Sequence, residues 1–322
     1  MKIRILAAAL TAASLALTAA CGGAKSDAGA AADGGAKGEK GTVKIAINPW
    51  VGYEANAAVI AHLLQKELGY TVEKKTLKEE VSWQGFESGE VDVIVENWGH
   101  DDLKKTYIQD KKIAVEVGPT GNKGNIGWYV PQWMADKYPD ITDYRNLNKY
   151  AALFKTSESG GKGQFLAGDP SFVTNDAALI TNLKLDYKVV YSGSEAAIIK
   201  AAQQATAQTK PLLFYFYEPQ WLFSKEKYAR VKLPAYTAGC DADPKKIACD
   251  YPDYVLDKIA SKKFADTGGD AYTLIKNFSW TNDDQNQVSD YITNQGLTPE
   301  KAAEKWAGDN QAKWKAWLPA KR

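Results

Sequence analysis

Val43-Lys44-Ile45-Ala46-Ile47 alternates apolar and polar residues and reads as a β-strand. Pro49 and Gly52 break it. Over residues 54–68 the apolar positions Ala57, Ile60, Ala61, Leu64 and Leu68 recur at helix spacing, until Gly69 stops the run. Residues 72–77 read as a second strand, 82–87 as a short helix ahead of Ser88-Gly89, and Val91-Asp92-Val93-Ile94-Val95 as a third strand. Strand, helix, strand, helix, strand is the order of a parallel α/β sheet.

Outward from this stretch the pattern continues. Further strands are expected at 113–117 and 126–130, and a second unit begins near Pro131. There a short helix is expected at 143–147. A Gly-rich turn (Gly160-Gly161-Lys162-Gly163) leads into a strand, and a helix follows at 176–183, then a strand at 188–191. A helix at 194–208 carries Ala197, Ile198, Ala201 and Ala205 on one side, and Pro211-Leu212-Leu213-Phe214-Tyr215-Phe216-Tyr217 reads as a buried strand. Val231-Lys232-Leu233 is expected to return towards the first unit. Residues 299–318 form a helical tail whose Trp306, Trp314 and Trp317 suit packing. The expected organisation is two α/β lobes, 42–130 with 225–322 and 131–224, with the chain crossing between them.

The first forty residues read as an address. Lys2 and Arg4 precede an uncharged apolar and small-residue run at 5–20, short for a membrane span, so residues 1–20 read as a secretory signal peptide. Ala19-Ala20-Cys21-Gly22-Gly23 resembles a bacterial lipobox, with Thr18 where Leu is usual and Leu17 one place earlier. Cys21 is therefore the expected lipidation site, and residues 21–41, without a large apolar side chain, a flexible tether. Export places Cys240 and Cys249 in an oxidising setting, where a disulfide across their polar, Pro244-containing loop is expected. Two free thiols fit export poorly, and a metal pair lacks a nearby His.

Composition narrows function. With 40 Lys+Arg against 39 Asp+Glu the net charge is +1, so no basic excess points to nucleic acid. Two His and three Cys leave little for a metal centre or a Cys–His nucleophile. Gly-x-Ser-x-Gly, His-Glu-x-x-His and a P-loop are all missing. Gly118, Gly121, Gly124 and Gly127 lie between two expected strands and read as a turning connection. Glu79-Glu80 and Asp101-Asp102 read as solvated surface, His62 as part of a helix, and His100 as a loop residue without a partner. No catalytic residue, metal or cofactor is expected.

Aromatics are abundant instead, with ten Trp and seventeen Tyr. Ligands of α/β sheets collect beyond the carboxyl ends of the strands. Trp50 and Tyr53 follow the first strand, Trp98 follows the third, Tyr217 ends the buried strand of the second lobe, and Phe172 lies in the loop 168–173. An aromatic cleft suits a quaternary ammonium, which has methyl groups in place of N–H donors. Each desolvated ring contact contributes roughly 0.5–2 kcal/mol. A sugar stacked on Trp, or another neutral solute, is the alternative, and a secreted enzyme a more distant one.

At these residues the sequence resembles the glycine betaine/proline betaine/choline-binding proteins of bacterial ABC importers. The resemblance spans about 43–318. It is carried by Ile47-Asn48-Pro49-Trp50, Trp83-Gln84-Gly85-Phe86-Glu87-Ser88-Gly89-Glu90-Val91-Asp92-Val93, Glu96-Asn97-Trp98, Ser194-Glu195-Ala196-Ala197 and Tyr217-Glu218-Pro219-Gln220-Trp221. It implies a two-lobed, type II periplasmic-binding-protein-like fold that closes on its ligand at a hinge. It also implies an extracytoplasmic, lipid-anchored receptor that serves an ABC permease in osmoprotection. The expected ligand is glycine betaine, proline betaine or choline, and the protein is expected to be a monomer. By the same resemblance Trp98, Phe172 and Tyr217 are aromatic ligand contacts, and Trp50 matches an aromatic of the choline-type branch. Phe172 and Tyr217 stand where many members have Trp, and Gln220 where some have His. Backbone N–H groups near Gly52 and Tyr53, at a helix N-terminus, are candidates for a ligand carboxylate. Trp83 is expected to pack helix against sheet, with Tyr187, Trp128 and Trp221 behind the site.

Overall fold

A computed structural model describes residues 40–320. The proposed signal peptide, Cys21 and the tether up to residue 39 lie outside the described residues. The first half runs β1 (Thr42–Ile47), α1 (Val51–Lys66), β2 (Thr71–Thr76), α2 (Glu79–Ser88), β3 (Val93–Asn97), the single turn α3 (Asp101–Lys104) and β4 (Ala114–Pro131). Then come α4 (Gln132–Lys137), α5 (Leu147–Tyr150), β5 (Gly163–Ala167), α6 (Asp176–Asn182), β6 (Tyr187–Tyr191), α7 (Glu195–Ala207), β7 (Phe214–Glu218), α8 (Leu222–Lys225) and β8 (Tyr228–Arg230). The chain ends with β9 (Asp253–Ser261), α9 (Lys262–Thr267), α10 (Gly269–Asn277), α11 (Asn282–Thr293), α12 (Pro299–Asp309) and α13 (Gln311–Lys315).

The strands form one sheet in the order β2-β1-β3-β9-β4-β7-β5-β6, with β8 on β4. β1 pairs in parallel with β2 and β3, and β5 in parallel with β6 and β7, as the alternation of strands and helices requires. Antiparallel β9 and β4 join these two parallel groups. β3 is buried along its whole length, which its run Val93-Ile94-Val95 suits. α1 is buried on most sides, between the sheet and α11 and α12, and accordingly carries small and apolar residues such as Ala55, Ala57, Ala58, Ile60 and Leu63 all round.

The two strands expected at 113–117 and 126–130 are one strand of 18 residues. Its glycine series is therefore part of the strand and not a turning connection. Gly118 and Gly121 have φ of 116° and 91°, and the register on β9 shifts beside them. Side chains rarely adopt that geometry, so glycine lets the strand bulge and continue. Gly124 and Gly127 answer to crowding: a Cβ there would lie 2.6 Å from the Trp98 ring and 2.9 Å from Arg230 Nε.

β4 serves both halves. Ala114 to Asn125 pair with β9, Asn125 to Tyr129 with β7, and Tyr129 to Pro131 with β8. Residues 231–233, expected to return towards the first unit, run beside the end of β4 and residue 143. Val231 N–H donates to the Trp128 carbonyl at 2.8 Å, and Lys232 bridges Asp143. Trp306 is buried against Trp280 and Trp317, and Trp314 is buried with its indole N–H donating to the Ala307 carbonyl at 2.7 Å, all as packing residues. Among the described residues no helix is long and apolar enough to cross a membrane.

Candidate functional site

A cleft of about 930 Å³ opens at the carboxyl ends of the strands. Trp50, Trp98, Phe172 and Tyr217, expected from sequence to meet, all line it. Trp50 stands edge-on to Phe172 at 5.7 Å between ring centroids, and Trp98 edge-on to Tyr217 at 5.5 Å. Each pair takes one ring from the β1–α1–β3 region and one from the β5–β7 region. Tyr53 is placed differently. It follows Trp50 by three residues on α1, points into the core, and is fully buried with its hydroxyl accepting the Val95 N–H at 3.1 Å. It backs Trp50 edge-on at 5.4 Å and is not a wall of the cleft.

The two tryptophans are fixed by one carboxylate. Trp50 and Trp98 both donate their indole N–H to Oε1 of Glu96, each at 2.8 Å. The other oxygen accepts amide N–H from Asn56 and from Gln285, the latter at 3.1 Å. Burial lifts the Glu96 pKa above the ordinary carboxylate range, against the pull of these four donors. Trp98 is further held by Tyr254, at 5.6 Å, and by the bare face of Gly124.

Tyr217 is held from the other side. Its hydroxyl donates to Oε1 of Glu195, which also accepts Gln220 Nε2 at 2.5 Å, while Oε2 accepts the Val51 N–H at 2.8 Å. That N–H belongs to the first residue of α1, whose cap Trp50 has no side-chain acceptor to offer, since an indole N–H only donates. The helix terminus considered for a ligand carboxylate thus has one N–H engaged by Glu195. Burial raises the Glu195 pKa to about 7. A third carboxylate, Asp176, accepts Trp128 Nε1 at 2.7 Å and the Tyr251 hydroxyl at 2.8 Å, and burial raises its pKa to about 6.

Other expectations sort themselves by position. Trp83 is buried against Phe86 and Tyr107, in packing. Tyr187 bonds the Leu147 carbonyl away from the cleft, and Trp221 is buried. His100 has a partner after all. Its Nε2 lies 2.5 Å from Glu79 Oε2, with both side chains nearly buried at the cleft wall, so Glu79 is not solvated surface. Burial lowers the His100 pKa, the hydrogen bond and charge of Glu79 raise it, and the net shift is upward. Cys240 and Cys249 form the expected disulfide, and Asp241, Pro244 and Ile247 from its loop line the cleft. Tyr215 and Tyr254 were missed as wall residues, and Gln285 and Glu195 as supports.

Residues 41–309 match the family described as the substrate binding domain of ABC-type glycine betaine transport system. The chain belongs to that family. A trimethylamine N-oxide-binding protein of Pelagibacter ubique is 24% identical over 287 residues, which cover 85% of this chain and 90% of that protein. Lactococcal OpuAC, closed and complexed with glycine betaine, superposes with a TM-score of 0.67 at 24% identity, covering 86% of this chain and 99% of its own. An ABC-transporter choline-binding protein in complex with choline gives 0.70 at 19% identity, covering 86% and 91%. These likenesses give the two-lobed type II periplasmic-binding-protein fold. As a substrate-binding domain of an ABC-type glycine betaine transport system, the protein is extracytoplasmic, and its partners are a small ligand and an ABC permease.

Proposed function

We propose that this family member captures a methylated, positively charged amine between Trp50, Trp98, Phe172 and Tyr217 and presents it to the permease. The observation that carries the reading is the meeting of these four rings, two from each half, in one cleft. Rings standing edge to face present different faces and edges to a group lodged among them. A trimethylammonium group, greasy and without N–H donors, gains from several aromatic faces at once. Glycine betaine, proline betaine and choline are the candidate ligands. Trimethylamine N-oxide joins them through the Pelagibacter relative's name. None of the relatives named above is a sugar-binding protein, and the reading assigns no catalytic step.

Capture proceeds by closure of two lobes about β4 and the start of β9. We assign residues 42–124 and 253–320 to one lobe and 125–252 to the other. The second crossing then falls at β9 and not near Lys225, because residues 228–251 bond to β4, Asp143, Asn182 and Asp176. The protein acts as a monomer, tethered through a lipid on Cys21. The support for the anchor is the run Ala19-Ala20-Cys21-Gly22 after an apolar segment. Cys21→Ser should release it from the membrane fraction.

Titration of glycine betaine, proline betaine, choline, carnitine and trimethylamine N-oxide against intrinsic Trp fluorescence tests the function. A saturable change with at least one is expected. A flat response to all five removes the reading.

A further inference from the structure

Behind the aromatic walls lies a charge that the cleft does not expose. Glu96 is 1% exposed and is absent from the cleft surface, yet its Oε1 is bonded to both Trp50 and Trp98, which are walls. An indole N–H can only donate, so Oε1 can only accept. With the amides of Asn56 and Gln285 on Oε2, the carboxyl faces four donors, an arrangement that the ionised form satisfies. None of the four partners carries a positive charge. A buried carboxylate held only by neutral donors remains a negative charge in search of a counter-charge. Donation to a carboxylate also drives electron density into each indole and makes its face more negative.

We propose that Glu96 is the counter-charge of the bound amine, acting through Trp50 and Trp98, so that the cleft selects a positive charge and not merely a trimethylated shape. Glu96 is a positioning residue here, since it touches the rings and not the ligand. The inference rests on the four-ring cleft being the ligand site.

The test compares ligands of one shape that differ in a single atom. Choline is paired with 3,3-dimethyl-1-butanol, and glycine betaine with 3,3-dimethylbutanoate; in each pair carbon replaces the charged nitrogen. Binding is measured by calorimetry on the wild type and on Glu96→Gln, with melting curves to confirm folding. In the wild type the cationic member should bind at least about tenfold more tightly. In Glu96→Gln that ratio should fall by roughly tenfold, through weaker binding of the cation and an unchanged neutral analogue. A purely structural role would weaken both members alike, and an unchanged ratio overturns the proposal.

The glutamine turns an N–H₂ group towards Asn56 and Gln285. A second variant, Glu96→Gln with Asn56→Asp, therefore returns one carboxylate to the cluster and should restore the ratio. A wild type that binds both members equally overturns the inference without any variant. Failure to bind either cation, or any other methylated amine, overturns the ligand-site reading itself.

Discussion

The carboxylate of Glu195, in the first turn of α7, accepts the backbone N–H of Val51, in the first turn of α1, at 2.8 Å. It thereby joins the β5–β7 side of the cleft to the β1–β3 side. Gln220 Oε1, beside it, is buried without a partner. A reversed amide would offer that oxygen to the protonated carboxyl, which gives titration near neutrality a local acceptor.

The pH dependence follows from that environment. Burial raises Glu195 from 4.5 to about 7 and Asp176 from 3.8 to about 6. The folded chain holds these protons more tightly than the unfolded chain. Stability therefore falls as pH rises through each window and levels off above it, by on the order of 3 kcal/mol for Glu195. His100 has the same sign, losing its contribution as pH rises through its elevated value. Denaturant unfolding between pH 4.5 and 7 should show a decline that Glu195→Gln reduces. Equal slopes in the two proteins would remove Glu195 as the cause.

Trp98→Ala removes one wall. Binding of the preferred amine should weaken about tenfold or more, from ~1–2 kcal/mol per desolvated ring contact. Calorimetry reads it directly, and an unchanged affinity would place the ligand elsewhere.

Gly124→Ala should reproduce much of that loss without altering any wall residue. The added Cβ falls 2.6 Å from the Trp98 ring and 2.9 Å from Leu256, so the ring must shift. The expected outcome is roughly tenfold weaker binding, together with an altered near-ultraviolet Trp signal. A variant with wild-type affinity would show that the ring tolerates displacement.

Loss of the disulfide should cost stability and binding together. Cys240 and Cys249 are 9 positions apart, a closure that contributes roughly 2–3 kcal/mol by the chain-entropy argument. Their loop also contributes Asp241, Pro244 and Ile247 to the cleft. The double serine variant should unfold at lower denaturant and bind more weakly, whereas a stability loss with intact affinity would make the loop a bystander.

Much of this was legible in residue patterns. The alternation at 43–47 and the helix spacing after it located β1 and α1. Position after a strand end located four of the five aromatic candidates at the cleft. Tyr53 failed because three residues along a helix turn a side chain to another face, here the core. β9 was missed although it lies at the centre of the sheet. Its Lys258 is fully buried, satisfied by the carbonyls of Lys276 and Phe278, and an internal lysine masks an apolar run. Glu96 and Glu195 stood in the quoted motifs, but their partners lie 2 to 189 residues away. Nothing local distinguishes such a carboxylate from a solvated one. The same blindness applied to Glu79 and His100, 21 residues apart.

The long strand β4 sets a limit on how this receptor can be dismantled. It contributes hydrogen-bonded edges to both halves. A gene cut at residue 124 would leave each fragment with an open, unpaired sheet margin, a template for aggregation. Reporter insertions and circular permutants for an amine biosensor therefore belong in surface turns such as Gly160-Gly161, away from the strand that both halves own.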